Sequence, residues 1–192
     1  MILFFSGLLL FFGAHLFSLV PARDAVRARL GANAFKGVYS VVSLLGIILI
    51  VMGYSRVPYE QLFAPLPWAR GALFAAMPFV FVLFASANMS THIRRVLRHP
   101  MLIATLIWSG LHLLANGELA ATWLFGAFAA YAVLNLLVSV VRGRPGLPLK
   151  KPVAWKFDVM AVAGGVVVYA VFLKLHGWLF VPILPSTSTQ GL

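Results

Sequence analysis

Six long stretches without Asp, Glu, Lys or Arg are the feature of this sequence that most constrains its fold. Each is close to the ~20 residues that a helix needs to cross the ~30 Å hydrocarbon core of a bilayer. The sequence therefore predicts an all-α, polytopic membrane protein, built as a six-transmembrane-helix bundle. We expect one domain over residues 1–185 and a flexible tail over residues 186–192. The stretches cover residues 2–22, 37–55, 71–93, 99–117, 119–141 and 159–173, the last continuing past Lys174 to residue 182.

The composition excludes a soluble domain. Of the 192 residues, 62% are hydrophobic and 10% are charged, whereas soluble domains average about 25% charged residues. The first stretch lacks the basic residues that precede the apolar region of a signal peptide, so we interpret it as a retained span. The chain has no cysteine, which excludes disulfides, thiolate metal sites and cysteine nucleophiles. Glycines inside the stretches predict close approach between helices; they are Gly46, Gly53, Gly110, Gly126, Gly164 and Gly165.

The net charge of +11 is distributed unevenly over the loops between the spans. The loops that follow the first, third and fifth spans carry twelve of the 15 basic residues. The loops that follow the second and fourth spans carry only Arg56 and Arg70. The positive-inside rule then places both termini on the outer, periplasmic side of a bacterial inner (cytoplasmic) membrane. Such short clusters predict contact with the bilayer and its anionic lipid headgroups, and no nucleic-acid partner. The twelve are Arg23, Arg27, Arg29, Lys36, Arg94, Arg95, Arg98, Arg142, Arg144, Lys150, Lys151 and Lys156.

Polar residues inside the spans are the best functional candidates, because polar groups in hydrocarbon are costly. The fourth span carries four of them at spacings of four, three and four, which places them on one stripe of a helix: Thr105, Ser109, His112 and Asn116. For His112 a ligand or catalytic role and a hydrogen-bonded packing role are equally compatible with this pattern. His15 lies among phenylalanines, where packing is the simpler interpretation. His92 and His99 lie beside arginines, which favours anchoring at the membrane interface.

The sequence contains few combinations of residues that are typical of an enzyme active site. The four acidic residues lie in loops or at a helix start, so we expect no buried carboxylate pair for acid and base catalysis or for a hard metal; they are Asp24, Glu60, Glu118 and Asp158. Phosphate-binding glycine loops are also missing from the sequence. Two neutral imidazoles on different helices of an apolar bundle would instead suit axial ligation of a haem.

Three segments resemble blocks of the NnrU family of integral membrane proteins, in the same order along the chain. They are GLLLFFGAHLFSLVPARDAVRARLG at residues 7–31, FKGVYSVVSLLGIILIVMGY at residues 35–54, and RHPMLIATLIWSGLHLLANGELAATW at residues 98–123. The resemblance covers most of the chain. It implies a link to denitrification and to the metabolism of nitrite and nitric oxide.

The NnrU family is similar to the plastid zeta-carotene isomerases, in which haem b is held by membrane histidines. Carried onto this sequence, that similarity implies haem b ligands at His15 and His112, with Ser109 and Asn116 beside the cofactor. The second-choice ligands are His99 and His92. The isomerases have a cysteine at the place of Ser109, and a serine hydroxyl does not replace a thiolate as an iron ligand.

Three functions therefore remain open. The first is a haem-binding membrane protein that serves nitrogen-oxide metabolism. The second is a haem-dependent cis–trans isomerase of a carotenoid-like polyene, and the third is a cofactor-free accessory subunit of a respiratory or denitrification membrane complex. Whether the chain is an enzyme stays open at this point.

Overall fold

The computed structural model describes residues 1–143, 146, 149 and 152–179, with side chains up to residue 176. Over these residues the chain forms eight α-helices and no strand, which confirms the all-α prediction. The predicted tail over residues 186–192 lies outside the described residues, and the single domain over residues 1–185 stays a prediction. The helices are α1 (Ile2–Phe17), α2 (Ala22–Leu30), α3 (Ala32–Tyr54), α4 (Ala69–Ser86), α5 (His92–Leu97), α6 (Pro100–Ala115), α7 (Leu119–Val141) and α8 (Trp155–Leu179).

Four of the described helices, α3, α4, α7 and α8, are long and apolar enough to cross a membrane. The pair α1 and α2 adds a fifth if it counts as one span, although the two helices meet at 91°. Helix α6 is apolar but has 16 residues. Large apolar side chains remain exposed on α3 and α8, including Val41 and Val167 at 57% and 61%. Surfaces of this kind require lipid as their solvent, and the chain is a membrane protein.

Side-chain hydrogen bonds to the backbone mark where two of the spans end. The Ser18 hydroxyl donates to the His15 carbonyl at 2.6 Å, directly after α1, and the Ser86 hydroxyl donates to the Leu83 carbonyl at 2.8 Å at the end of α4. Thr91 then caps α5 by accepting the Arg94 N–H at 3.0 Å. Because terminal carbonyls and N–H groups need partners, α1 and α4 end several residues before the first and third uncharged stretches do.

The chain divides into two compact units, the first being Met1–Leu73 with Thr105–Pro145. In this unit α1 lies directly against α3, because glycines remove the side chains that would separate the helices. A Cβ atom at Gly46 would lie 2.8 Å from the Phe11 nitrogen, and one at Gly7 would lie 2.6 Å from the Ile50 nitrogen. Close approach is thus confirmed at Gly46, and also at Gly53. The core of the unit is made of Phe4, Leu8, Phe11, Phe12, Ile50, Val57 and Ala120.

The turn between α6 and α7 is held by the loop that follows α3. The Leu62 N–H donates to the Gly117 carbonyl at 2.7 Å, and the Leu119 N–H donates to the Glu60 carbonyl at 2.8 Å. The Tyr54 hydroxyl donates to Glu118 at 2.7 Å. Helices α6 and α7 therefore form the tight hairpin that the short Asn-Gly-Glu turn predicts.

The second unit is Phe74–Ala104 with Gly146–Leu192. Here α4 packs on α8 at Gly165, where a Cβ atom would lie 2.7 Å from the Val82 backbone. The Phe81 ring lies 5.8 Å from the Tyr169 ring in the same contact. Close approach is confirmed at Gly165, but it is wrong for three other glycines, where an added Cβ atom would meet nothing within 4 Å among the described residues: Gly110, Gly126 and Gly164.

Candidate functional site

His15 lies in the last turn of α1 and is half-buried among aromatic rings. Its Nδ1 lies 2.7 Å from the Phe11 carbonyl oxygen one turn earlier. Because a carbonyl oxygen only accepts, Nδ1 carries the proton and Nε2 carries the lone pair. The imidazole is stacked on the Phe11 ring at 4.1 Å, with the Tyr39 and Tyr131 rings at 5.3 and 5.6 Å.

His112 repeats this arrangement in the last turn of α6. Its Nδ1 lies 2.8 Å from the Trp108 carbonyl oxygen, so Nε2 again carries the lone pair. The ring is stacked on Phe125 of α7 at 4.6 Å. Two histidines on different helices are thus held in the same tautomer by the carbonyl four residues before each of them.

Aromatic rings in contact connect the two histidines within the first unit. Phe11 lies 5.5 Å from Phe128, and Phe128 lies 5.1 Å from Trp108, which in turn lies 5.4 Å from His112. Phe12 also contacts Phe128, at 4.9 Å. The environment around both imidazoles is therefore apolar and continuous.

The contacts of the two imidazoles with α7 show how far apart they lie along the axis of that helix. His112 contacts Phe125 and His15 contacts Tyr131, and these α7 residues are separated by ~9 Å at 1.5 Å per residue. Phe128 lies midway between them on the helix. The two imidazoles thus contact α7 about two turns apart, and Phe128 lies between their contact residues on that helix.

The other two predicted cofactor residues make local hydrogen bonds on α6. The Ser109 hydroxyl is fully buried and donates to the Thr105 carbonyl at 2.6 Å. The Asn116 amide donates to the His112 carbonyl at 2.7 Å. Both bonds stay within the predicted polar stripe. A role for Ser109 or Asn116 toward a cofactor stays a prediction.

The second-choice ligands, His92 and His99, both lie in the second unit. His99 precedes α6, and its carbonyl accepts the Ile103 N–H at 3.1 Å. It therefore occupies a helix start, while His92 begins α5. The structure brings His15 and His112 into one unit and places neither second-choice ligand there.

His92 is paired with a buried carboxylate that the sequence did not reveal. The Asp158 carboxylate is 7% exposed and lies 2.7 Å from His92 Nδ1. It also accepts the backbone N–H groups of His92 and Ile93, at 2.9 and 3.3 Å, and the Trp155 ring is stacked on the imidazole at 4.3 Å. Asp158 lies in the first turn of α8, at a helix start as the sequence predicts, and its partner is an imidazole rather than a second carboxylate. The sequence carries one signal for the pair, since His92 lies at the end of the third uncharged stretch and Asp158 directly precedes the last one.

A family model described as NnrU protein matches residues 3–183. This chain belongs to the NnrU family. The match confirms the resemblance that the three sequence blocks suggested. Searches of curated proteins and of solved structures returned no significant match.

The residues of this NnrU protein fit a haem in their ligand chemistry. Ligating histidines usually donate their second ring N–H to a carbonyl or carboxylate, which fixes the tautomer and the ring orientation, and both His15 and His112 do so. His15 and His112 are the residues that would hold such a group, and the rings around them would exclude water from it.

A site made only of side chains has less support. Among the described residues, no group of three or more His, Asp or Glu side chains lies close enough to hold a metal ion. A haem does not need such a group, because its macrocycle supplies most of the iron ligands and the protein adds one or two.

Proposed function

We propose that this NnrU-family protein is a multi-pass protein of the bacterial inner membrane that holds haem b through His15 and His112 and serves nitrite and nitric oxide metabolism. The observation that carries the proposal is the shared geometry of the two imidazoles. Each has its Nδ1–H donated to the carbonyl four residues earlier, at 2.7 and 2.8 Å. This directs the lone pair of each ring to Nε2, the atom that would bind iron.

The surroundings support an apolar cofactor. The Phe11 ring contacts His15, and the Trp108 and Phe125 rings contact His112. Such rings would give the macrocycle an environment without water. When bound, haem would supply an iron centre with affinity for small nitrogen oxides. The polypeptide would position the two imidazoles, fix their tautomer and exclude water from them.

The optical spectrum of the detergent-purified protein tests the proposal. We expect a Soret band, either as purified or after addition of haemin, and a low-spin spectrum typical of two nitrogen ligands. His15→Ala and His112→Ala should each convert this spectrum to a high-spin form or abolish it. His176→Ala serves as the control, because His176 lies on α8 in the other unit.

The possible outcomes separate the alternatives. No Soret band after haemin addition would overturn the haem proposal and favour the cofactor-free accessory subunit. A spectrum that responds to only one of the two alanine variants would contradict ligation by the other histidine. If His92→Ala or His99→Ala alters the spectrum instead, the second-choice ligands hold the iron.

The physiological part of the proposal rests on family membership alone. Deletion of the gene in its own bacterium should slow anaerobic growth on nitrite. The wild-type gene should restore that growth, and the His15→Ala and His112→Ala genes should not. Normal growth of the deletion strain on nitrite, with normal consumption of nitric oxide, would contradict a role in denitrification.

We further infer six spans, formed by α1, α3, α4, α6, α7 and α8, with both termini on the periplasmic side. The uneven distribution of Lys and Arg over the loops supports this topology. Because the chain has no cysteine, single cysteines are specific labels. A membrane-impermeant maleimide should label Leu62→Cys in spheroplasts and should label Arg27→Cys only after permeabilisation. Labelling of Arg27→Cys from outside would reverse the orientation.

A further inference from the structure

An apolar crevice lies inside the right-angled bend between α1 and α2. Its volume is about 300 Å³, which is at the lower end of the range for ligand pockets. Gly13 and Phe17 of α1, Val26 of α2, and Phe35 and Tyr39 of α3 are among its lining residues. All of them belong to the first unit. The crevice is lined almost wholly by hydrocarbon, so its occupant must present a chain without polar groups.

A cation lies at the rim of this crevice. The Arg23 guanidinium carbon is 5.9 Å from the centre of the Phe35 ring. Its Nε is buried and has no hydrogen-bond partner among the described residues. The carboxylate of Asp24 lies 3.4 Å from Arg23 Nη1, but it is 78% exposed and bonds the opposite part of the guanidinium. The Arg23 side chain as a whole is 36% exposed, so an anionic oxygen from outside the chain reaches the guanidinium through its Nη groups rather than through the enclosed Nε.

Helix α2 as a whole carries positive charge next to the crevice. It has Arg27 and Arg29 in its last turn and no buried residue. Since α2 meets α1 at 91°, it lies along the membrane surface when α1 crosses the membrane. A cationic helix in that plane attracts anionic headgroups.

We propose that this crevice is a specific binding site for an anionic phospholipid, with one acyl chain in the crevice and the headgroup phosphate on Arg23. The proposal extends the general attraction of basic loops to a single site with a defined stoichiometry. It does not depend on haem binding. It commits to a lipid because an apolar chain and an anionic oxygen are required within one molecule, and a free phosphate offers only the second.

Native mass spectrometry of the full-length protein tests the site. The probes are phosphatidylglycerol and phosphatidylcholine with identical acyl chains. We expect one tightly held phosphatidylglycerol per chain, with a preference over phosphatidylcholine of about fivefold, the effect of one interfacial arginine. Arg23→Gln should remove this preference, whereas Arg29→Gln on the same helix should keep it.

A second pair of variants tests the crevice itself. A Cβ atom at Gly13 would meet nothing within 4 Å in the part of the chain that the structure describes. Gly13→Leu therefore fills the crevice without displacing the backbone and should weaken binding of both lipids. The control is Gly37→Leu, which also enters open space but does not line the crevice. If Gly13→Leu does not elute as a single species, Val38→Phe narrows the same crevice.

Two results would overturn the proposal. Equal retention of the two lipids by the wild-type protein would mean that the crevice holds ordinary annular lipid. Retention of phosphatidylglycerol by Arg23→Gln, or by a folded crevice-filling variant, at the wild-type level would place the lipid elsewhere.

Discussion

At the scale of single residues, backbone carbonyls determine which ring nitrogen of each candidate ligand carries the proton. His15 and His112 each donate Nδ1–H to the carbonyl one helical turn earlier, so neither needs a second side chain to fix its tautomer. This explains how a span can present an oriented imidazole without an acidic partner in hydrocarbon. His92 follows the other route, because its Nδ1 faces the Asp158 carboxylate.

Phe128 is the residue whose removal should most change access to the proposed haem site. Its ring contacts Phe11, which is stacked on His15, and Trp108, which contacts His112. Phe128→Ala should increase haem retention at least about twofold, because its ring no longer occupies the space between Phe11 and Trp108. The same change should lower the melting temperature of the haem-free protein, since large-to-small core substitutions cost about 3 kcal/mol.

Haem content per chain and thermal unfolding measure these two effects. Phe172→Ala is the control, because Phe172 packs against Phe81 in the other unit; it should destabilise the protein without raising haem retention. Equal haem content per chain in Phe128→Ala and Phe172→Ala would contradict this role of Phe128.

The second residue-scale prediction concerns Asp158. Asp158→Asn replaces a charged acceptor that bonds one imidazole and two backbone N–H groups. We expect the melting temperature to fall by about 5 °C, because hydrogen bonds to charged groups are the stronger ones. Asp24→Asn, at a 78% exposed side chain, should change it by less than about 1 °C. An equal effect of the two substitutions would contradict a structural role for the His92–Asp158 pair.

At the scale of helices, the contact between α1 and α3 depends on glycine. Phe4 and Phe11 of α1 lie against the backbone at Gly53 and Gly46, so the interface is made of rings set against bare backbone. Such interfaces gain van der Waals contact that larger residues would prevent. This contact places the last turn of α1, and with it His15, beside Tyr39 of α3.

Gly46→Leu should therefore separate the two helices. We expect a loss of about 3 kcal/mol, typical of overpacking in a filled core, and a weaker haem spectrum because His15 moves with α1. Gly126→Leu is the matched control, since an added Cβ atom there meets none of the described residues within 4 Å. Denaturant unfolding in detergent measures the difference. Comparable stability of the two leucine variants would show that the α1–α3 contact tolerates a side chain.

The sequence predicts the existence of the helices better than it predicts where each helix ends. The uncharged stretches predicted all the long helices, because charge is excluded from hydrocarbon. They did not predict the helix ends after Phe17 and Ser86, because these depend on serine and threonine hydrogen bonds that hydropathy does not contain. Nor did they predict that Phe125 and Phe128 belong to the aromatic cluster near the two histidines. A phenylalanine in a span has the same sequence signature whether its ring faces lipid or a histidine.

At the scale of the whole molecule, the chain is two compact units, and helices α4 and α6 each contribute residues to both. The candidate ligands His15 and His112 fall in one unit, and the His92–Asp158 pair falls in the other. Sequence position alone does not reveal this division, because it depends on which helices pack together. The family assignment, by contrast, was predictable from three sequence blocks and extends over residues 3–183.

The short first helix has a consequence for the surrounding bilayer. With 16 residues, α1 covers ~24 Å at 1.5 Å per residue, whereas its neighbour α3, with 23 residues, covers ~35 Å. In the six-span topology proposed above, the membrane beside α1 should therefore thin locally, because hydrocarbon adjusts to the length of the helix that it meets. The protein should unfold at a higher temperature in nanodiscs of 14-carbon lipids than in those of 18-carbon lipids. We therefore expect this protein to accumulate in the thinner regions of a membrane.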